Sequence, residues 1–143
     1  MAKYIPPTID WVREQVELYE GSGGTKGTTL RDTGLPCIIV TNQGNKTGAV
    51  RKIPLMRVKV GNGYVLVGSM GGQPKNPVWV YNLRANPDTT VQIGSRHLPV
   101  HARVANKTER KRLWPKAVAA YGGFEDYQRR TEREIPLVIL EPR

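Results

Sequence analysis

Residues 36–68 are PCIIVTNQGNKTGAVRKIPLMRVKVGNGYVLVG, in which apolar and β-branched segments alternate with two turns rich in Asn and Gly. The segments Pro36–Thr41, Ala49–Val60 and Tyr64–Gly68 have the composition of β-strands. Short turns of this kind favour hairpins between antiparallel strands. No strand–helix–strand alternation follows, so the pattern does not favour a doubly wound parallel sheet.

Three further strands and up to four helical segments are predicted outside this stretch. The strands are Thr89–Ile93, Leu98–Val104 and Ile135–Leu140. The helices are residues 8–20 with Thr8 as cap, residues 77–85 with Asn76 as cap, residues 106–121 with a capping box of Asn106 and Glu109, and residues 125–133. About six strands with flanking helices predict a mainly β, α+β fold, namely a small antiparallel barrel with peripheral helices.

The 143 residues are predicted to form a single domain. Residues 1–34 are expected to supply a first helix and a flexible loop, and residues 35–143 the barrel. The glycine-rich loop Gly21–Thr29 lacks the spacing of a phosphate-binding P-loop and is predicted to be a mobile connector. A single cysteine, Cys37, excludes an internal disulfide framework, and with only two histidines no metal site is predicted.

The charge of the chain is concentrated in one part of the sequence. The net charge is +10, and the 55 residues from Thr33 to Pro87 contain no Asp or Glu. Seven basic residues lie in that stretch: Lys46, Arg51, Lys52, Arg57, Lys59, Lys75 and Arg84. A long basic segment without carboxylates indicates an anionic partner.

Three classes of anionic partner are consistent with net charge alone: nucleic acid, a membrane surface and a small molecule. Nucleic-acid binding is disfavoured because Lys46–Lys59 holds no aromatic side chain on which bases could stack. Membrane association is not supported by the first helix, whose polar face is acidic. The chain shows no apolar run of the roughly 20 residues that span a bilayer and no signal peptide, so a cytoplasmic location is expected.

Two glycine-rich loops lie at strand ends within the basic stretch. The first is Gly44–Gly48, with Arg51 three residues beyond it, and the second is Gly68–Gly72, before the helix that starts at Asn76-Pro77. Glycines allow close approach of a ligand, and successive N–H groups or a helix N-terminus attract anions. From its residues alone the first loop is equally consistent with a hairpin turn carrying solvated basic side chains. Neither loop has the G-x-G-x-x-G spacing of a Rossmann site.

Three motifs, in order along residues 35–143, resemble the deazaflavin-dependent nitroreductase family. They are Thr41, Gly44–Gly48, Arg51 and Pro54-Leu55; then Gly68–Gly72, Lys75–Trp79 and Asn82–Pro87; then Tyr121, Tyr127-Gln128, Thr131, Arg133 and Ile135-Pro136. The resemblance implies a split β-barrel like that of FMN-binding oxidoreductases. It also implies coenzyme F420, an 8-hydroxy-5-deazaflavin with a phosphodiester and an oligoglutamate tail. The reduced coenzyme would transfer a hydride to a quinone, enone or nitroaromatic acceptor.

The resemblance implies roles for individual residues. Residues implied to bind the coenzyme are Asn45, Lys46, Thr47, Gly48 and Arg51 at its phosphate and tail, Pro54 near its ring, Ser69, Met70, Gly71 and Gly72 around its linker and phosphate, and Val78, Trp79 and Asn82 in its cleft. Lys75 is also counted among the coenzyme-binding residues. The substrate pocket would be formed by Met56, Tyr121, Phe124 and Tyr127. Catalytic roles are implied for Tyr127 and Tyr121 as donors and for Ser69 in polarising a substrate oxygen. Spacing alone favours a core position for Trp79.

The chain departs from the family's pattern at four positions. Family members tend to carry basic residues where this chain has Asn45 and Met70, an aromatic residue in place of Met56, and Tyr in place of Phe124. The changes at Met56 and Phe124 predict a more apolar substrate pocket with fewer hydrogen bonds, which argues against nitroreductase activity and leaves reduction of quinones or enones open. Three alternatives remain open: an FMN-dependent reductase on the same barrel, a deazaflavin-binding protein without turnover, and a nucleic-acid-binding barrel. The oligomeric state is not predicted.

Overall fold

A computed structural model describes residues 3–30 and 33–143. The strands are β1 (Cys37–Gln43), β2 (Val50–Met56), β3 (Val58–Val60), β4 (Gly63–Val67), β5 (Asp88–Ile93), β6 (Arg96–Val104) and β7 (Leu137–Pro142). The helices are α1 (Asp10–Gly21), α2 (Val78–Ala85), α3 (Lys107–Ala120) and α4 (Gly123–Arg129), with a 3-10 turn at Met70–Gly72.

The strands form one antiparallel sheet in the order β2-β1-β5-β6-β7-β4-β3. The sheet curls into a half-barrel, and its edge strand β2 comes back into contact with β4. All of the neighbouring strands pair in opposite directions, so the prediction of an antiparallel barrel with flanking helices is confirmed.

The concave face of the sheet holds the main core. On β1, Ile38 and Val40 point to this face, whereas Cys37 and Ile39 point to the other, as the two-residue period of a strand requires. Helix α2 closes the concave face with Trp79, Val80 and Leu83, all of them buried. Helix α2 is therefore anchored in the core and not loosely attached to the surface.

The convex face is covered by the other helices in two separate clusters. Val16 and Tyr19 of α1 pack on Cys37 and Ile39 of β1. The second cluster lies under α3 and α4 and contains Met56, Val58, Val65, Leu113, Ala117, Phe124 and Leu137. No helix in the described ranges is both long enough and apolar enough to cross a bilayer.

The predicted strand Ala49–Val60 is divided into β2 and β3, so the structure has seven strands and not six. The division falls at Arg57, whose backbone N–H donates to the carbonyl oxygen of Pro36 at 3.3 Å. Strand β2 pairs with β1, while β3 pairs with β4. The chain has to change partners between them, which a sequence pattern of continuous β-character does not reveal.

Two predicted helix caps were wrong by one residue, and a third was confirmed. The cap residue of α1 is Ile9, not Thr8, and that of α2 is Pro77, not Asn76. The side chain of Asn76 instead accepts a hydrogen bond from Arg133, 57 residues away. The capping box of Asn106 and Glu109 is present at the start of α3.

The Gly21–Thr29 loop, whose predicted mobility remains a prediction, makes specific contacts with α1 and the sheet. The Gln15 amide of α1 donates to the loop carbonyls of Gly27 and Thr29. Helix α1 also contacts the sheet directly, because the Tyr19 hydroxyl accepts from the Gly94 N–H at 2.7 Å. Gly24 lies against the β5–β6 turn so closely that a Cβ there would be 1.8 Å from the Gly94 oxygen. The loop thus fastens α1 to one end of the sheet.

Substitution of Gly24 tests this close contact. We expect Gly24→Ala to lower the free energy of unfolding by more than Gly23→Ala, because both residues have positive φ but only Gly24 abuts the backbone. The shared conformational cost is about 1–2 kcal/mol, and overpacking adds about 1–3 kcal/mol for Gly24→Ala alone. Urea denaturation measures the free energy of unfolding of both variants. Equal decreases would contradict the close contact between Gly24 and Gly94.

Candidate functional site

The first glycine-rich loop forms a tight turn between β1 and β2. The Gly44 N–H donates to the Ala49 carbonyl at 2.7 Å, and the Gly48 N–H donates to the Gly44 carbonyl at 2.9 Å. Gly48 has a φ of +73°, a conformation that favours glycine. The side chains of Asn45, Lys46 and Thr47 are exposed at the tip. The loop therefore presents a basic residue on a well-fixed backbone.

A buried amide pair connects this loop to α2. The Asn82 side chain accepts from the Asn45 backbone N–H at 3.0 Å and donates to the Asn42 side chain at 2.8 Å. Asn82 is 2% exposed and Asn42 is 3% exposed. Arg51 pairs directly with Asn42 across the β1–β2 ladder, so both side chains lie on the same face as α2. Asn82 thus positions the loop, although it had been predicted only to line a cleft.

The second glycine-rich loop has an unusual backbone. Met70, Gly71 and Gly72 have φ values of +45°, +62° and +82° in succession, after a right-handed Ser69. Such sequences turn consecutive N–H groups toward one concave side, where an anion can be bound. A Cβ on Gly72 would lie 2.7 Å from the carbonyl oxygen of Tyr127. The loop is therefore packed directly on α4.

Arg133 holds this second loop from one side. Its guanidinium donates to the carbonyls of Gly68, Ser69 and Gln73 at 3.1, 2.8 and 2.9 Å, and to the Asn76 side chain at 2.7 Å. Partial burial is the main cause that lowers the pKa of Arg133 from its ordinary value. The only signal for Arg133 in the sequence is its place in the third motif, which does not indicate what its side chain binds.

The residues predicted to form a substrate pocket lie together. Tyr121, Phe124 and Tyr127 contact one another on α4 and the segment before it, and Met56 belongs to the same apolar cluster. The hydroxyl oxygens of Tyr121 and Tyr127 are 3.1 Å apart. This hydrogen bond and burial raise the pKa of Tyr127, so its hydroxyl keeps its proton at neutral pH and can donate.

The remaining predicted residues differ in exposure. Met70 and Val78 are 52% and 68% exposed beside the second loop, and Lys75 is also at the surface. Trp79 is 5% exposed and supports α2 from within the core. Pro54 is buried, and it pairs with Ile39 on the opposite face of β2 from Arg51. Contacts of Trp79 and Pro54 with a coenzyme remain predictions.

The basic stretch is only slightly neutralised by its surroundings. Lys52 forms an ion pair with Glu20 of α1 at 2.6 Å. The other basic residues of the stretch have no carboxylate within ion-pair distance in the described part of the chain: Lys46, Arg51, Arg57, Lys59, Lys75 and Arg84. The surface around both loops consequently keeps its positive charge.

A family model described as F420H(2)-dependent quinone reductase matches residues 11–142. This chain belongs to that family. The F420H(2)-dependent quinone reductase Rv1261c of Mycobacterium tuberculosis is 32% identical over 138 residues, which cover 94% of this chain and 92% of that protein. A second M. tuberculosis protein, Rv3178, is 44% identical over 109 residues, covering 76% of this chain and 92% of its own length.

Solved structures support the same assignment. An F420-H2 dependent reductase (FDR-A) is 43% identical with a TM-score of 0.69 and covers 74% of this chain and 94% of that chain. A structure described as a domain-swapped dimer is also 43% identical, with a TM-score of 0.71, and covers 92% of this chain and 98% of that one. A FAD-binding protein from Mesorhizobium loti, at 12% identity and a TM-score of 0.51, covers 75% and 79% of the two chains. This last likeness concerns the fold alone and confirms the split barrel.

Family membership makes the protein a reductase that depends on coenzyme F420. The donor set of the two loops fits such a coenzyme. Both loops offer backbone N–H groups, Lys46 and Arg51 lie in or just after the first loop, Lys75 follows the second, and the stretch that contains them has no carboxylate. A phosphodiester with an acidic tail is the kind of ligand that this combination binds.

The amide pair can be tested by removing one partner. We expect Asn82→Ala to lower the free energy of unfolding by about 1–3 kcal/mol, because it leaves the buried Asn42 amide without its partner. Asn45→Ala is the matched control, since Asn45 uses only its backbone in this contact, and it should change stability by about 0.5 kcal/mol or less. Chemical denaturation measures the free energy of unfolding of both variants. Similar decreases in the two variants would contradict a stabilising role for the Asn82–Asn42 hydrogen bond.

Proposed function

We propose that this protein transfers a hydride from the reduced deazaflavin coenzyme to a quinone. The observation that carries the proposal is the Tyr121–Tyr127 hydroxyl pair, which lies on an apolar cluster next to the second glycine-rich loop. An apolar surface with two convergent hydroxyls suits a flat ring that carries carbonyl oxygens.

The coenzyme would be held mainly through its charged parts. Lys46 and Arg51 would bind the phosphodiester and the acidic tail at the first loop, where the arginine fork matches phosphate oxygens. The N–H groups of Ser69, Met70 and Gly71 at the second loop would bind other oxygens of the same phosphodiester. Because both loops are held to α2, coenzyme bound to both of them would have its ring in one orientation. The acid-free stretch would also place no carboxylate of its own where it could repel the glutamate tail.

The tyrosines would act on the acceptor. When bound, the reduced coenzyme supplies the hydride. A hydroxyl of the pair would donate a hydrogen bond to a quinone carbonyl oxygen and stabilise the negative charge that develops there. Tyr127 would then release its proton to that oxygen, which completes the two-electron reduction, and regain a proton from solvent.

Acceptors other than quinones differ in how well they match the pocket. An enone presents the same kind of carbonyl oxygen and is the second acceptor class that we propose. A nitro group is more polar, and Met56 and Phe124 offer it no hydrogen bond. We therefore propose the order quinone, enone, nitroaromatic for kcat/KM.

A binding and turnover experiment tests this function. The purified protein is titrated with oxidised coenzyme F420, flavin mononucleotide and single-stranded DNA at near-physiological salt, and turnover is then followed with the three acceptor classes. We expect the tightest binding for the deazaflavin and the fastest turnover for a quinone. Equal affinity for the three ligands would refute the proposal, as would turnover of nitroaromatics alone.

The anion contacts are tested by removing the basic side chains of the first loop and β2. We expect Lys46→Ala and Arg51→Ala each to weaken coenzyme binding by about 1.5–3 kcal/mol, the range for hydrogen bonds to charged groups. Arg96→Ala is the control, because Arg96 is exposed at the start of β6, beside the β5–β6 turn at the other end of the sheet. Fluorescence quenching gives the dissociation constant of the coenzyme for each variant. Unchanged affinity in a folded variant that carries both Lys46→Ala and Arg51→Ala would contradict the role of these two residues.

The proton donor is tested with Tyr127→Phe. We expect kcat to fall by about 10²-fold, a typical effect for a general acid, while coenzyme affinity stays unchanged. Because the pKa of Tyr127 is raised, the wild-type rate should decline only at a pH above about 10, the ordinary tyrosine value, and the variant should lack that decline. Tyr4→Phe, far from the pair in sequence, serves as control. Full activity of Tyr127→Phe would rule out the donor role.

A further inference from the structure

Arg133 differs in its partners from Arg103 and Arg110, two other half-buried arginines in the C-terminal part of the chain. Arg103 donates to Glu109 and Glu141, and Arg110 lies 3.5 Å from Glu134. Arg133 has no carboxylate partner among residues 3–30 and 33–143. All four of its acceptors are neutral oxygens of residues 68–76. The hydrogen bonds of its guanidinium are therefore all made to the segment of residues 68–76, which includes the second glycine-rich loop.

The bonds to the Gly68 and Ser69 carbonyls have a consequence for the next residues. In a planar trans peptide the C=O and N–H bonds point in opposite directions. When Arg133 holds the Gly68 and Ser69 oxygens on its side, the N–H groups of Ser69 and Met70 are turned to the opposite side. Neither N–H has a protein acceptor within the described ranges. The Ser69 carbonyl also accepts from the Gly72 N–H at 2.9 Å, whereas the side-chain contact to the Gly68 carbonyl comes from Arg133. Arg133 thus helps to fix the orientation of two donors that it does not touch.

The same arginine connects the loop to the tyrosine-bearing helix. The Gln128 side-chain amide donates to the Arg133 carbonyl at 2.7 Å, and Gln128 lies on α4 next to Tyr127. The close contact between Gly72 and the Tyr127 carbonyl joins the two elements at a second point. A shift of Arg133 would therefore disturb the loop and α4 together.

We propose that Arg133 is a positioning residue that holds the Gly68 and Ser69 carbonyls so that the backbone N–H groups of Ser69 and Met70 face the phosphodiester of the coenzyme. This inference rests on the proposed function. The guanidinium does not bind the coenzyme; it orders the donors that do, and its unpaired charge adds to the positive potential of the loop.

The test compares two ligands that differ only in the anionic part. Coenzyme F420 and its deazaflavin chromophore without phosphodiester and glutamate tail are titrated by fluorescence into wild type, Arg133→Gln, Arg133→Lys and the control Arg129→Gln. Arg129 is exposed at the end of α4, four residues before Arg133, and binds Glu125 and Asp126 instead of the loop. Melting temperatures are recorded for each variant.

We expect Arg133→Gln to weaken binding of the full coenzyme by about tenfold or more and to leave the dissociation constant of the bare chromophore within about twofold. Arg133→Lys should give a smaller loss, because an ammonium keeps the charge but lacks the planar fork. Arg129→Gln should leave the dissociation constants of both ligands unchanged. If Arg133→Gln does not fold, the same comparison is made with Arg133→Lys alone.

Two results would overturn the inference. Equal losses for both ligands would show that Arg133 has only a general structural role, and unchanged affinity for both would show that the loop does not need it. Failure of the wild type to bind the full coenzyme would instead overturn the proposed function, and this inference with it.

Discussion

The hydrogen bond between the buried amides of Asn42 and Asn82 is the constraint on which the site depends. It ties α2 to β1, and the same Asn82 side chain holds the first glycine-rich loop through the Asn45 N–H. At its other end α2 follows Asn76, which Arg133 holds. Because Trp79 packs in the core, α2 is held firmly in place and can position both loops. Two loops that are distant in sequence are therefore both held to the same helix.

The distribution of charge gives this arrangement its chemistry. Several arginines away from the loops are matched by carboxylates, as Arg103 is by Glu109 and Glu141, so these arginines add little to the external field. The surplus of positive charge is left near the loops, where the sequence has no acid. A polyanionic coenzyme would meet an attractive surface there, while the Tyr121–Tyr127 pair provides neutral donors for the acceptor.

Local sequence patterns were sufficient for the strands, the capping box at Asn106 and the two glycine-rich loops, because turn chemistry and two-residue alternation act within a few residues. They were not sufficient where a distant partner decides the outcome. The division between β2 and β3 at Arg57 follows from a change of strand partner. The Asn76 side chain accepts a hydrogen bond from Arg133 instead of capping α2. The acceptors of Arg133 lie 57 to 65 residues earlier in the chain, so no local pattern indicates its role.

The most direct test of this account is a map of backbone amide chemical shifts by NMR during titration with oxidised coenzyme F420. The account predicts the largest changes in Gly44–Gly48 and Gly68–Gly72, with smaller changes in α4, since these segments supply the anion donors and the adjoining helix. Changes confined to another surface, such as the exposed side of α3, would contradict it.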